Sequence, residues 1–153
     1  MCGICERIQM TQKEHNPYFV MELDTGYVVL GDHQRIQGYT LFLCKRHVSE
    51  LHHLDMDFRV KHLREMSLVS EAVHRTFHAD KMNIESLGNG ETHLHWHLFP
   101  RKHGDTHEPS PVWWLPKEEL WNDRFRPNQE ALVNQVEALR AELTNLMTSF
   151  SNA

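Results

Sequence analysis

His93-Leu94-His95-Trp96-His97-Leu98-Phe99 alternates between imidazole and apolar side chains, and no other stretch restricts the fold so tightly. A period of two belongs to a β-strand, whose successive side chains point to opposite faces. The pattern predicts three imidazoles on one face, with Leu94, Trp96 and Leu98 packed on the other. A merely solvated face needs no such uniformity, since Lys, Thr or Glu serve that purpose equally well. Two chemical readings stay open. Alternate strand positions can present three ligands to a zinc ion, or one neutral imidazole can attack phosphorus while its neighbours position phosphate oxygens. The 13 histidines in 153 residues are several times the ordinary share, which puts imidazole or metal chemistry first.

The surrounding sequence supplies the partners such a strand needs. Phe19 to Leu23 and Tyr27 to Leu30 flank Asp24-Thr25-Gly26, the signature of a hairpin, and Gly38 to Cys44 reads as a buried third strand. Met82 to Leu87 alternates as well, Gly88-Asn89-Gly90 suits a tight turn, and Thr92 to Phe99 returns, so 82–100 is expected to form a second hairpin closed by Pro100. Between the hairpins, apolar residues recur at helical spacing from Asp55, a candidate N-cap, to His78. A last helix over about 128–148 carries Leu132, Val136, Leu139, Leu143 and Leu146 on one stripe. The expectation is an α+β fold in one domain spanning 1–153: an antiparallel sheet of about five strands with one long and one C-terminal helix.

Composition narrows the partners. With 16 basic and 21 acidic residues the net charge is −5, which argues against a nucleic-acid backbone binder but leaves small anionic ligands open. No apolar run approaches the roughly 18 residues of a membrane span, and Met1 to Arg7 lacks the charged-then-apolar pattern of a secretory signal. A cytoplasmic location is expected. Three cysteines, an odd number, speak against a disulfide framework, so Cys2-x-x-Cys5 is a metal half-site, a redox pair or chance, while Cys44 packs in the sheet. His52, His53, His103 and His107 read as surface or loop residues, Trp96 as core or dimer packing, and Trp113 and Trp114 as pocket or interface.

At the triad the sequence resembles the histidine triad (HIT) family, whose pattern alternates three histidines with apolar residues. Asn83, Gly88-Asn89, the run His93 to Arg101, and Gly38-Tyr39-Thr40-Leu41 followed by Lys45-Arg46-His47 extend the resemblance, which covers Cys2 to about Arg126. It implies a homodimeric nucleotide hydrolase or transferase acting at an α-phosphate. The middle histidine, His95, is implied to attack phosphorus and form a covalent nucleotidyl-imidazole, with no metal needed for that step. His97 is implied to bond a phosphate oxygen or the leaving group, as are Asn83 and Asn89, the latter standing where many relatives carry Gln. The resemblance also implies a structural zinc on Cys2, Cys5, His47 and His93. Two departures are evident. Gly90 and Glu91 replace the Ser or Thr that follows the Gln position, removing a hydroxyl and adding an acid that would repel polyphosphates; and the ribose-binding acid is displaced by one, to Asp32.

The expected substrates are dinucleoside polyphosphates or nucleoside phosphoramidates, with no nucleic acid or membrane as partner. Two alternatives differ in class: a nucleotide-binding module with little turnover, and a zinc-dependent hydrolase that uses all three triad histidines as ligands.

Overall fold

The computed structural model describes residues 1–153. Strands β1 (Phe19–Glu22), β2 (Gly26–Leu30), β3 (Thr40–Cys44), β4 (Lys81–Glu85) and β5 (His95–Arg101) form one antiparallel sheet in the order β1-β2-β3-β5-β4. Helix α2 (Met56–Phe77) links the two halves, capped by the Asp55 carboxylate on the Phe58 N–H and ended by His78 in the left-handed conformation. Helix α4 (Gln129–Ser151) follows a long post-sheet segment and is capped by Asn128.

Pleating divides the sheet into two working faces. Val28, Leu30, Phe42, Trp96 and Leu98 meet α2 and the Leu132, Val136, Leu139, Leu143 stripe of α4 in the main core. His95, His97 and Phe99 point the other way, beside Leu43, Leu41 and the ring of Tyr39. That second face is covered at one end by α1 (Gly3–Gln12) and at the other by Val112 and Leu120 of the post-sheet segment, which includes the short helix α3 (Lys117–Leu120). Helix α1 has no clear apolar periodicity, so the sequence does not announce it; docking of Ile4 and Ile8 against Tyr27, Val29 and Leu43 forms it.

Both ends of the sheet differ from expectation. The second hairpin has no tight turn: residues 86–94 make a loop, and β5 begins at His95 instead of Thr92. His93 and Leu94 are instead drawn back toward β3. Leu94 exchanges backbone hydrogen bonds with Cys44 and Val48, and its side chain packs on Cys44 and Leu54. At the other edge Arg140 of α4 donates to the carbonyls of Val20 and Phe19, at 2.7 and 3.3 Å. The guanidinium satisfies an edge strand that would otherwise expose bare acceptors.

Beneath the main core lies a polar cluster that helical spacing does not reveal. Trp96 Nε1–H donates to His62 Nε2 at 3.1 Å, so the His62 proton sits on Nδ1 and donates to Thr25 Oγ1 at 2.9 Å. Thr25 Oγ1 in turn donates to Glu65, whose carboxylate also accepts the Asp24 and Thr25 N–H groups of the β1–β2 turn. Burial pushes the His62 pKa down to about 4, so the imidazole is neutral and every polar atom on it is paired. Trp96 therefore combines core packing with one hydrogen bond.

Candidate functional site

Strand β5 positions two imidazoles and its entry loop positions the third. The His95 Nδ1 atom lies 2.6 Å from the backbone carbonyl of His93. A carbonyl can only accept, so Nδ1 carries the proton and, in the neutral ring, the lone pair is on Nε2. That Nε2 is 3.1 Å from Nε2 of His97, and His97 Nδ1 is 2.6 Å from the Tyr39 hydroxyl. Burial pushes the His97 pKa down to about 4, with the neighbouring His95 adding to the effect. Between Glu85 and Phe99 the face is closed by Trp113, whose Nε1–H donates to Glu85 at 2.6 Å while its ring stands edge-on to His97.

His93 does not converge with the other two. Its Nε2–H donates to the Cys44 carbonyl at 2.7 Å, which leaves Nδ1 bare and facing Cys2, Cys5 and His47. The His93 Nδ1 atom is 3.2 Å from His47 Nδ1, 3.4 Å from Cys5 Sγ and 3.6 Å from Cys2 Sγ, and Cys5 Sγ is 3.2 Å from His47 Nδ1. Donors around a tetrahedral zinc, at about 2.3 Å for sulfur and 2.0 Å for nitrogen, stand roughly 3.3 to 3.8 Å apart. All four donor atoms lie within 4.8 Å of one another. Donor set, spacing and the outer hydrogen bond that orients His93 fit a structural zinc. Cys2 is not frayed: it is the N-cap of α1 and its sulfur accepts the Cys5 N–H. The arrangement does not suit a metal on all three triad histidines, because His93 Nε2 is spent on the Cys44 carbonyl and its bare Nδ1 faces Cys2, Cys5 and His47 rather than His95 and His97.

Other candidates are placed less uniformly. Asn83 lies opposite Phe99 on the His97 face, and its Oδ1 accepts from Arg101, which is itself clamped by Asp105 at 2.7 and 2.8 Å. Its amide donors stay available. Asn89 is exposed on the 86–94 loop and makes no side-chain hydrogen bond. Glu91, expected to face the phosphates, instead turns to α1 and accepts the Gly3 N–H at 3.1 Å, because the helix N-terminus attracts a carboxylate. Asp32 pairs with Arg7 at 2.7 Å and lies 3.6 Å from Arg126. It borders a cavity of about 250 Å³ lined also by Tyr39, Leu41, Leu43 and Trp121. Leu41 and Leu43 are the residues directly across β3 from His97 and His95, so this cavity opens beside the imidazole pair. Trp114 is 70% exposed. Sequence reasoning missed Arg7 and the role of Tyr39; the position of Tyr39 two residues before Leu41, at the entry to β3, was the available signal.

An imidazole pair on β5 of a five-stranded antiparallel sheet, with a third histidine just before the strand turned to a cysteine–histidine cluster, defines a histidine-centred site. Residues 12–104 match the HIT domain model. The chain belongs to this family of nucleotide-binding hydrolases and transferases. It is similar to a histidine triad protein from Bradyrhizobium japonicum, with 26% identity, a TM-score of 0.72 and coverage of 87% of this chain and 94% of that one. A histidine triad protein from Marinobacter aquaeolei VT8 gives 25% identity and the same TM-score of 0.72, over 84% of this chain and 89% of the other. A zinc-bound histidine triad family protein from Mycobacterium smegmatis shares the fold at 19% identity and a TM-score of 0.64, covering 96% of this chain and 99% of its own. Among curated proteins none matches.

Proposed function

We propose that the protein hydrolyses nucleotides at the α-phosphate, releasing a nucleoside monophosphate from a dinucleoside polyphosphate or a nucleoside phosphoramidate. The observation that carries this reading is the fixed orientation of His95: its Nδ1–H is anchored on a backbone carbonyl, which leaves the lone pair on Nε2, directed at His97 Nε2 on the same face of the sheet. In the first step Nε2 forms a bond to phosphorus as the bond to the leaving group breaks and its electron pair departs with that group. Water then cleaves the phosphorus–nitrogen bond and regenerates the imidazole. His97 donates its Nε2–H to a phosphoryl or leaving-group oxygen, and Asn83 offers its amide donors from the same face. Asp32 is assigned to the ribose, its second oxygen remaining open beside the Arg7 contact. Asn89 reaches the phosphate only if the 86–94 loop closes on the ligand.

A structural zinc on Cys2, Cys5, His47 and His93 would tie α1 to the triad entry loop and supply no chemistry to the reaction. The zinc-bound mycobacterial relative, sharing the fold, supports this assignment. Free thiols in such a site suit a reducing compartment such as the cytoplasm, and no helix is long and apolar enough to cross a membrane. The whole chain, 1–153, is read as one domain, since α1 and its N-cap would supply two zinc donors and α4 completes the main core.

Turnover against a panel of adenosine and guanosine phosphoramidates and dinucleoside polyphosphates tests the reaction. Release of monophosphate with a transient nucleotide covalently on His95, seen by rapid quench and mass spectrometry, is the expected result. Tight nucleotide binding with no turnover of any panel member would leave a binding module instead.

A homodimer is the proposed assembly. Strand β4 pairs on one side only, with β5, and its outer edge presents Ile84, 44% exposed, followed by Leu87, 50% exposed. Unlike β1, this edge has no guanidinium across it, and a second copy would pair it about a two-fold axis. Light scattering over a dilution series should give twice the 18.1 kDa chain mass; a monomer at every concentration refutes the dimer.

A further inference from the structure

The Tyr39 hydroxyl has a single hydrogen-bond partner, Nδ1 of His97, at 2.6 Å. Its ring is stacked on Phe99, with centroids 4.1 Å apart and planes 9° from parallel, and lies within 13° of parallel to His97. The residue is 4% exposed. Burial, with the carboxylates of Glu85 and Asp32 adding to it, pushes the phenol pKa upward. The hydroxyl therefore keeps its proton across the working range.

The direction of the hydrogen bonds follows from the one group that cannot donate. The His93 carbonyl requires a proton on His95 Nδ1, which leaves His95 Nε2 as an acceptor in the neutral ring. Only a His97 Nε2–H fills the 3.1 Å contact between the two rings. Nδ1 of His97 is then bare, and Tyr39 must donate to it. Every proton in the chain from Tyr39 through His97 and His95 to the His93 carbonyl points the same way.

Resting on the reading of His95 as nucleophile, we infer that Tyr39 is a positioning residue that holds His97 in the tautomer with its proton on Nε2. The resting site would need no such help, because His95 Nε2 already demands that proton. Once His95 Nε2 is bonded to phosphorus, that constraint disappears. Tyr39 alone then keeps an N–H, and not a lone pair, directed at the phosphoryl oxygens. A lone pair there would repel the oxygens and forfeit the stabilisation that a preorganised donor provides.

Two measurements on the full chain test this, one of them independent of turnover. In His95→Ala, nitrogen NMR of the ring should show His97 protonated on Nε2 alone; adding Tyr39→Phe should release it to a mixture of both tautomers. The Phe ring preserves the stack on Phe99, so the fold is not at stake. An unchanged His97 signature in the double variant overturns the inference even if His95 proves to be the nucleophile. In the intact triad, Tyr39→Phe should lower kcat by about tenfold with little change in KM, the scale of one hydrogen bond, and have no further effect in a His97→Ala background. Equal loss in both backgrounds would reduce Tyr39 to a packing residue. If no panel nucleotide is turned over, the reading of the reaction fails while the NMR result still decides the tautomer.

Discussion

Replacing His95 with Ala should lower turnover by a factor on the order of 10³ or more while nucleoside monophosphate still binds. Of the two imidazoles on β5, only that of His95 is held by a backbone anchor with its lone pair on Nε2, so no neighbour can substitute for it. His97 cannot take over, because its Nδ1 is occupied by Tyr39 and its Nε2 carries the proton. Binding survives because the cavity beside Asp32, Leu41 and Trp121 is built without His95, and a nucleophile contributes to the covalent transition state more than to uniform binding. Steady-state kinetics and calorimetric titration with the monophosphate check the two halves. Turnover close to that of the unaltered protein would remove His95 from the chemistry and revive the binding-module reading.

The second large effect is expected at the cysteine–histidine cluster. Cys5→Ala removes a sulfur that lies within 3.4 Å of both histidine donors, and bound zinc should fall well below one per chain. A structural metal contributes its binding energy directly to folding. A loss of about 3 kcal/mol would lower the melting temperature by roughly 10 °C in a chain of this size. The damage should also reach the reaction: His93 carries a ring on the cluster and a carbonyl on His95 Nδ1, so a loosened loop frees the nucleophile to rotate. Metal analysis and thermal melts of the variant beside the unaltered protein measure the first effect. If protein prepared with ample zinc and reductant contains none, the site is wrong, and a melting temperature unmoved by Cys5→Ala would say the same.

Local chemistry explains which parts of this protein can be read along the chain. The alternation at His95, Trp96, His97 and Leu98 assigns each side chain to a face because a strand has a period of two. The stripe Leu132, Val136, Leu139 and Leu143, with Asn128 before it, likewise gives α4 and its buried side. These are properties of neighbours in sequence. His93 obeys the same alternation yet leaves the strand, since Cys44 and Val48 draw the loop back and Cys44 offers a carbonyl to its ring. Glu91 stands, by the resemblance, beside the phosphate-facing positions, but the positive end of α1 claims it. Helix α1 itself is invisible to periodicity and exists because the sheet provides a surface for Ile8.

The sequence by itself thus determined the antiparallel α+β fold, the two long helices α2 and α4, the imidazoles of β5 and, through the resemblance, the four residues of the cysteine–histidine cluster. Only the tertiary structure decided that Cys2 and His93, 91 positions apart, come within 3.6 Å, that Arg101 anchors Asn83, and that Tyr39 fixes the proton of His97. The physical reason is that periodicity reports the face a side chain occupies. Which partner it meets there depends on strand register, helix docking and loop closure, and these are set by groups far away in the chain.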